Sequence, residues 1–378
     1  MKLWRKEKQI ATNNFLKALS FSFKNDKMNA FLIFSCVNED GAICLCYTIL
    51  LDRRVDMIEH HFKQLDALIE EHVKNIEGND LDALIDILTL LLTEEVLEDD
   101  AYKDDPFIEK LKQLKLETLE KDQIRKVIEF AILRGLKGAV QSQHAITPDT
   151  IASYIVYIIE KIFPEDKKIR MFDIVSGSGN LLMAIMNQLN RQVQAYGSEI
   201  DPTMIELSML SANLQKNEIE FFHQDSLQPF LLDPVDLVVA DLPIGYYPDD
   251  ERAKSFKVHV TDEHTYAHHL LIEQALNYTK EAGYLIFVIP NSLFSSEQAS
   301  KLQTLLIDSA HVVALLQLPD SIFRSEKQAK SLFVLQKKGG HAKAPKEALL
   351  AQLPSFKDVK ATENIVGKMN QWFDQAGY

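Results

Sequence analysis

The spacing of hydrophobic residues changes twice along the chain and separates three stretches. In residues 1–56, the apolar runs Ala30–Val37 and Ala42–Leu51 flank Asn38–Gly41, a pattern typical of a β-hairpin whose turn ends in glycine. In residues 57–163, leucine and isoleucine recur at helical spacing, which predicts a small helical domain.

The third stretch alternates short apolar runs with helical segments. The predicted strands are Arg170–Val175, Gln194–Glu199, Ile219–His223, Val235–Ala240, Gly283–Ile289, His311–Gln317 and Ser331–Gln336. Such alternation predicts an α/β fold with a doubly wound, mainly parallel, seven-stranded sheet covered by helices on both faces. The last two runs lie close together, so we expect the final strand to pair antiparallel. This domain spans residues 164–340, and residues 341–378 form a C-terminal tail.

Composition narrows the class of protein. The chain of 378 residues has 55 acidic and 41 basic residues and a net charge of −14, concentrated in residues 57–150. Bulk charge of this sign argues against a protein that coats nucleic acid, although a local basic groove remains compatible with it. No apolar run reaches the roughly 18 residues of a membrane span, so we expect no membrane partner. Cys36, Cys44 and Cys46 lack metal-ligand spacing, which predicts a cytoplasmic protein without a metal site.

Residues 1–56 differ from the remainder of the chain. Charged residues interrupt their early apolar stretch and no small-residue cleavage site comes after it, so we expect no secretion signal. Because both the pattern and the charge change near residue 57, we expect Met57 to be an alternative start of the natural protein.

A glycine loop follows the first predicted strand of the sheet. Gly177 and Gly179 lie between this strand and a helical segment, the arrangement in which backbone N–H groups approach a ligand closely. Leu182 stands where the dinucleotide fingerprint requires a third glycine, which disfavours NAD and FAD. Glu199 ends the second strand, where a carboxylate can accept both hydroxyls of a ribose. The alternative interpretation is a turn with a surface acid beside it.

Two further aspartates follow predicted strands. Asp225 follows the third strand, where it can accept a hydrogen bond from the exocyclic amine of an adenine ring; a loop carboxylate is the alternative. Asp241 follows the fourth strand and precedes Pro243, so it is expected to project into the same crevice unless it only begins a turn.

Together these segments resemble the class I S-adenosylmethionine-dependent methyltransferases. They are most similar to the adenine-specific (N6) DNA methyltransferases related to the methylation subunit of type I restriction–modification enzymes. The resemblance extends from Gln141 to Lys338 and includes Gln143–Pro148, Gly283–Phe294 and Leu318–Phe323. It implies a Rossmann-like domain that binds S-adenosylmethionine and transfers a methyl group to an exocyclic adenine amine in DNA. A specificity subunit or a second copy of the chain is the implied partner.

The resemblance also implies the roles of individual residues. The implied cofactor-binding residues are Thr147, Pro148, Asp173, Gly177, Ser178, Gly179, Asn180, Glu199, Ile200, Asp225 and Ser226, and the implied catalytic residues are Asp241, Leu242, Pro243 and Ile244. The Asp241 carboxylate and the Leu242 carbonyl oxygen would accept the two N–H groups of the target amine.

The catalytic loop departs from the family pattern at two positions. Leu242 replaces a proline but keeps the backbone carbonyl, whereas Ile244 replaces an aromatic residue that stacks on the target base. Stacking of this kind contributes roughly 1–3 kcal/mol per base. Tyr246 or Tyr247 would compensate if the loop folds back. The alternatives are therefore methylation of a protein glutamine amide, or an S-adenosylmethionine-binding interaction protein with weak or no catalysis.

Three histidines follow this loop. His268 and His269 are adjacent, so on a helix their side chains point in different directions and do not form a metal pair. For these two and for His264 we expect capping, core packing or a contact with a substrate loop.

Overall fold

The computed structural model describes residues 43–93, 105–137, 146–323, 329–355 and 357–378. Its helices are α1 Ile43–His72, α2 Asp80–Leu92, α3 Pro106–Gln113, α4 Lys121–Gly135, α5 Asp149–Ile162, α6 Asn180–Gln188, α7 Pro202–Leu214, α8 Asp250–Ala253, α9 Ala267–Asn277, α10 Ala299–Ser309 and α11 Val359–Ala376. Its strands are β1 Ile169–Asp173, β2 Val193–Glu199, β3 Ile219–His223, β4 Val235–Asp241, β5 Thr279–Pro290, β6 Ala310–Gln317, β7 Lys330–Lys337 and β8 Leu349–Gln352.

The N-terminal part is helical, as predicted. Helices α1 to α4 share one buried apolar cluster, to which α7 of the α/β part adds Met204 and Leu207. Side chains cap the N-termini of two of these helices. Asn79 and Asp82 form a reciprocal capping box on α2, and Asp105 accepts hydrogen bonds from N–H groups in the first turn of α3.

The predicted β-hairpin in residues 1–56 is wrong in its second strand. Residues 43–51, predicted as part of the strand Ala42–Leu51, begin helix α1, and the first strand, Ala30–Val37, lies outside the described residues. A continuous apolar run is compatible with a strand or with a buried helix. No glycine or proline separates this run from the helical pattern that continues to His72, so one helix extends through both.

The sheet confirms the predicted fold class. Its strand order is β3-β2-β1-β4-β5-β7-β6-β8, and β7 runs antiparallel to both of its neighbours, as expected for the final predicted strand. The sheet has eight strands rather than the predicted seven, because β8 pairs parallel to β6. This four-residue strand lies in the segment that was expected to be a tail, and it is too short to show a periodic pattern.

Two more elements depart from the predicted division of the chain. Helix α5, expected in the helical domain, and helix α11, expected in the tail, both belong to the apolar cluster on one face of the sheet. The Tyr157 hydroxyl joins them by donating to Asn370 Oδ1 at 2.8 Å. We therefore propose that the methyltransferase-like domain begins before residue 149 and extends to the C-terminal helix.

The topology brings three carboxylates to one edge of the sheet. Asp173, Glu199 and Asp241 are the last residues of β1, β2 and β4. These three strands are parallel, and the strand order reverses at β1, where β2 lies on one side and β4 on the other. Open α/β sheets bind ligands in the crevice at such a point. Within the described ranges, no helix is long and apolar enough to cross a membrane, and no cluster of three metal-ligating side chains occurs.

Candidate active site

The loop between β1 and α6 needs glycine for its backbone conformation. Gly177 and Gly179 have φ angles of +54° and +72°, in the left-handed region that favours glycine. A Cβ on Gly179 would lie 2.9 Å from Met183 Cε, whereas one on Gly177 would meet no atom within 4 Å. Gly177 therefore borders open space, and its main chain can be approached closely by a ligand. Ser178, between the two glycines, is buried.

Glu199 is fixed by the main chain around it. Its Oε1 accepts from the N–H groups of Ile200 at 2.8 Å and Asp201 at 2.9 Å, and its Oε2 accepts from Gly177 N–H at 2.9 Å. The carboxylate therefore ties the end of β2 to the glycine loop. A carboxylate has about four acceptor positions, so one on Oε2 is left for a hydroxyl of a bound nucleoside. Ile200 comes next with 62% of its surface exposed, an apolar side chain at the rim of the crevice.

Asp173 is a buried acid at the base of the crevice. Burial raises the pKa of its carboxyl to about 8, and the negative charges of Glu199 and Asp241 add to this effect. A hydrogen bond from Val175 N–H, at 3.2 Å, acts in the opposite direction. A positively charged ligand would favour the ionised form of Asp173 and offset its repulsion with Glu199 and Asp241, so the electrostatics favour a ligand with positive charge.

Asn180 begins helix α6 and presents an unsatisfied donor. Its Oδ1 accepts from Arg125 at 2.9 Å, while its buried Nδ2 has no hydrogen-bond partner among the described residues. A buried donor without an acceptor is costly, and a helix N-terminus favours a negatively charged group. The carboxylate of an amino acid would satisfy both. Asn180 and Asp173 thus fit the two ends of a zwitterionic ligand.

Arg125 of helix α4 is a supporting residue that sequence reasoning missed. Its side chain is buried and forms ion pairs with Asp122, Glu129 and Asp149 in addition to the hydrogen bond to Asn180. Burial by itself lowers the pKa of Arg125, but the three carboxylates outweigh this effect and raise the pKa above its ordinary value. The available signal was a charged residue inside an apolar helical stripe, between Ile124 and Val127. Arg125 connects the helical part to the glycine loop.

Asp225 and Ser226 follow β3 on the other side of the crevice. Asp225 Oδ1 accepts from Leu227 N–H at 2.9 Å, and its Oδ2 accepts from the Tyr247 hydroxyl at 2.5 Å. The buried Ser226 hydroxyl donates to the Ile174 carbonyl oxygen at 2.5 Å and lies 2.9 Å from Ser198 Oγ. Ser226 therefore links the loop after β3 to the ends of β1 and β2, and Tyr247 lies in the part of the crevice that Asp225 borders.

Asp241 lies between two donors. The buried Thr147 donates its hydroxyl to Oδ2 at 2.9 Å, and Lys330 Nζ lies 2.5 Å from Oδ1. Thr147 was among the predicted residues, with Pro148 beside it at the start of α5; Gln143 and His144 of that segment lie outside the described residues. Lys330 was missed, although its position at the start of an antiparallel strand places it at this same edge of the sheet.

The loop after Asp241, which is predicted to be catalytic, exposes two apolar side chains and one aromatic side chain. Leu242 is buried and its N–H donates to the Val288 carbonyl oxygen at 3.1 Å. Pro243 is exposed, Ile244 is 49% exposed and Tyr246 is 55% exposed. The hydrogen bond from Ala267 N–H to the Gly245 carbonyl oxygen, at 2.9 Å, ties the loop to the first residue of α9.

The Tyr246 ring of this loop belongs to a stack of three aromatic rings. The rings of Tyr246 and Tyr266 lie 4.8 Å apart and nearly parallel at 14°, and His268 stacks on Tyr266 at 5.1 Å. Burial lowers the pKa of His268 to about 4, which a hydrogen bond with the Pro243 backbone only partly offsets, and burial lowers the pKa of His269 to about 3. Both imidazoles are therefore neutral at physiological pH. His268 is buried, which was one of the expected alternatives, and contacts the loop at Pro243, whereas His264 pairs with Asp250 at the surface.

Comparisons with known proteins agree with a site of this kind. A crystal structure from Listeria monocytogenes, assigned to the class I S-adenosylmethionine-dependent methyltransferases, superposes with a TM-score of 0.78 at 34% identity and covers 84% of this chain and 99% of that one. The family model for N-6 DNA Methylase matches residues 120–368, and the chain belongs to this family. It is an S-adenosylmethionine-dependent methyltransferase, and S-adenosylmethionine is its cofactor.

The curated relatives of this chain include two that match more than half of it. The uncharacterized protein YtxK of Bacillus subtilis is 43% identical over 264 residues, which cover 70% of this chain and 80% of YtxK. The type I restriction enzyme MpnII methylase subunit of Mycoplasma pneumoniae is 24% identical over 61% of this chain, and the match spans about half (48%) of that subunit.

Proposed function

We propose that this methyltransferase acts on the exocyclic amine of adenine in DNA. The observation that carries the proposal is the position of Asp241, whose carboxylate ends β4 at the same sheet edge as Asp173 and Glu199. A carboxylate at that point lies beside the cofactor crevice and can accept an N–H group of an amine. S-adenosylmethionine supplies an electrophilic methyl group when it is bound.

The chemistry that Asp241 performs is activation of a poor nucleophile. The lone pair of an aromatic amine is delocalised into its ring, and it becomes available when the two N–H groups donate to fixed acceptors. Asp241 would be one acceptor and the Leu242 carbonyl oxygen the other. Thr147 holds the carboxylate in place through Oδ2. Reaction then depends mainly on holding the amine in line with the methyl group, and no covalent intermediate with the protein is required.

A nucleobase is favoured over an amide because of the aromatic stack. Ile244 has no ring to place against a base, but Tyr246 lies two residues further along the same loop and exposes 55% of its surface. Tyr266 and His268 behind it hold its ring in position. A base in duplex DNA would reach Asp241 only after it is flipped out of the helix, and an exposed ring stabilises such a base by stacking.

Recognition of the DNA sequence is proposed to come from a partner. Between Asp241 and β5 the chain has only a loop, the short helix α8 and helix α9. A specificity subunit, or a second copy of this chain, would supply the contacts to base edges. The acidic excess is concentrated in residues 57–150, which precede in sequence the strands that carry Asp173, Glu199 and Asp241, so it is a weak objection to a DNA substrate.

Methyl transfer from labelled S-adenosylmethionine to DNA, RNA and protein, measured in parallel, tests the proposal. We expect label in DNA for the native chain and for Asp308→Ala, an exposed aspartate of α10, and none for Asp241→Ala. Cofactor affinity should stay within a few-fold in both variants. Label in a protein amide instead of DNA would establish the amide alternative, and cofactor binding without transfer to any substrate would establish an interaction protein.

A further inference from the structure

Lys330 is the residue of this site that the proposed amine activation does not use. Its Nζ forms an ion pair with Asp241 Oδ1 at 2.5 Å, with side chains that are 21% and 17% exposed. The two residues are far apart in the chain and meet because β7 runs antiparallel to β5, which places Lys330 opposite Pro290 at the edge where β4 ends.

The main chain fixes Lys330 at this place. Its carbonyl oxygen accepts from Leu318 N–H at 3.1 Å, and the neighbouring Ser331 hydroxyl donates to Asn291 Oδ1 at 2.7 Å. The lysine is therefore anchored at the first residue of a paired strand, and its ammonium group is held against the carboxylate by charge.

Asp241 has enough acceptor positions to bind Lys330 and a target amine at the same time. A carboxylate offers about four acceptor positions, and Thr147 and Lys330 use two of them, one on each oxygen. A lysine ammonium has three N–H donors. In the part of the chain that the structure describes, Asp241 is the one hydrogen-bond acceptor of the Lys330 ammonium group, so two of its donors remain for a ligand bound beside Asp241.

We propose that Lys330 is a specificity-determining residue that donates a hydrogen bond to an acceptor atom next to the target amine. The proposal rests on the proposed function and deepens it. Asp241 and Lys330 then form an acceptor–donor pair that matches an amine with a neighbouring acceptor, as in adenine, whose amine is flanked by N1 and N7. A simple alkylamine has no such acceptor and is itself a cation, so the Lys330 charge repels it.

An alternative role of Lys330, occlusion of the site, predicts the opposite effect of its substitution on methyl transfer. If Lys330 only occupied the place of the target amine, its removal would open the site and increase methyl transfer. The protonated amine of Lys330 has no lone pair and cannot itself accept a methyl group in this state. The two roles are distinguished by the direction of the change on substitution.

The experiment uses oligonucleotides in which the target adenine is replaced by 1-deazaadenine or by 7-deazaadenine, each lacking one of the two acceptors. We expect the native chain to methylate one of the two analogues about 10- to 100-fold less efficiently in kcat/KM than adenine. Lys330→Met should lose a similar factor on adenine and should discriminate between adenine and that analogue by less than about 3-fold. Lys63→Met, at a lysine that is 66% exposed in α1, is the matched control and should behave as the native chain.

The outcomes separate this inference from the proposed function. Equal transfer to adenine and to both analogues by the native chain overturns the role of Lys330 and leaves adenine methylation intact. Faster transfer by Lys330→Met also overturns it, in favour of an occluding role. No transfer to the adenine oligonucleotide by the native chain refutes the proposed function, and the inference with it. The comparison of analogues on the native chain needs no variant and does not depend on the folding of one.

Discussion

Replacing Arg125 by alanine is expected to lower the free energy of unfolding and to weaken cofactor binding. This buried side chain joins the helical part of the chain to the glycine loop. The substitution removes the pairing of Arg125 with Glu129 at 3.2 Å and with Asp149 at 3.2 Å, and the hydrogen bond to Asn180 at 2.9 Å. Removing one partner of a buried ion pair costs about 3–5 kcal/mol, because the other charge is left without compensation. Here Lys126 still pairs with Glu129 at 2.6 Å, so we expect the lower part of this range, about 3 kcal/mol.

The assay is urea unfolding of the native chain and of Arg125→Ala, with the cofactor dissociation constant measured beside it. The matched control is Arg54→Ala: Arg54 also pairs with a carboxylate, Glu120 at 3.0 Å, but the two side chains are 51% and 62% exposed. An exposed pair of this kind contributes about 0–1 kcal/mol. A loss below about 1 kcal/mol for Arg125→Ala, or one equal to that of Arg54→Ala, would refute the reasoning. Cofactor binding should weaken only in Arg125→Ala, because Asn180 loses the partner that orients it.

Two further predictions concern individual parts of the site. Tyr246→Ala should lower kcat/KM for DNA by the equivalent of about 1–3 kcal/mol, and Tyr246→Phe should restore it, because stacking needs the ring and not the hydroxyl; equal activity of all three proteins would contradict a stacking role. For Asp173, the pKa of the folded state is about 8, above the ordinary value of 3.8, so folding favours the protonated carboxyl. The free energy of unfolding of the cofactor-free protein, measured in urea, should therefore fall as pH rises from about 4 to about 8, the interval between the two pKa values, and it should depend less on pH in Asp173→Asn; parallel pH profiles would contradict burial as the cause.

The sequence predicted those parts of the molecule that depend on local pattern. Asp173, Glu199 and Asp241 could be placed at one edge because each follows a buried apolar run, and parallel strands end at the same edge of a sheet. The antiparallel β7 was likewise expected from the short connection before it. The β8 strand was not, because four residues are too few to show a period.

What the sequence could not show are contacts between distant residues. Arg125 reaches Asn180 across 55 positions, and Lys330 reaches Asp241 across 89. Neither position carries a local pattern that indicates its partner. The strand predicted at Ala42–Leu51 is wrong although its local pattern was clear. Its composition suits a strand, but helix α1 extends back through it. Tyr247, one of the two tyrosines predicted to compensate for the missing aromatic residue, is hydrogen-bonded to Asp225, a contact that the sequence gives no means of predicting.

The most direct test of the central claim is to incubate DNA with the native chain and S-adenosylmethionine, digest it to nucleosides, and measure N6-methyladenine by mass spectrometry. The predicted result is N6-methyladenine with the native chain and at least a roughly 100-fold lower yield with Asp241→Ala, the loss expected when positioned activation of the amine is removed, while the variant still binds the cofactor. An equal yield from both proteins would contradict the role of Asp241, and the absence of N6-methyladenine with the native chain would contradict adenine in DNA as the substrate.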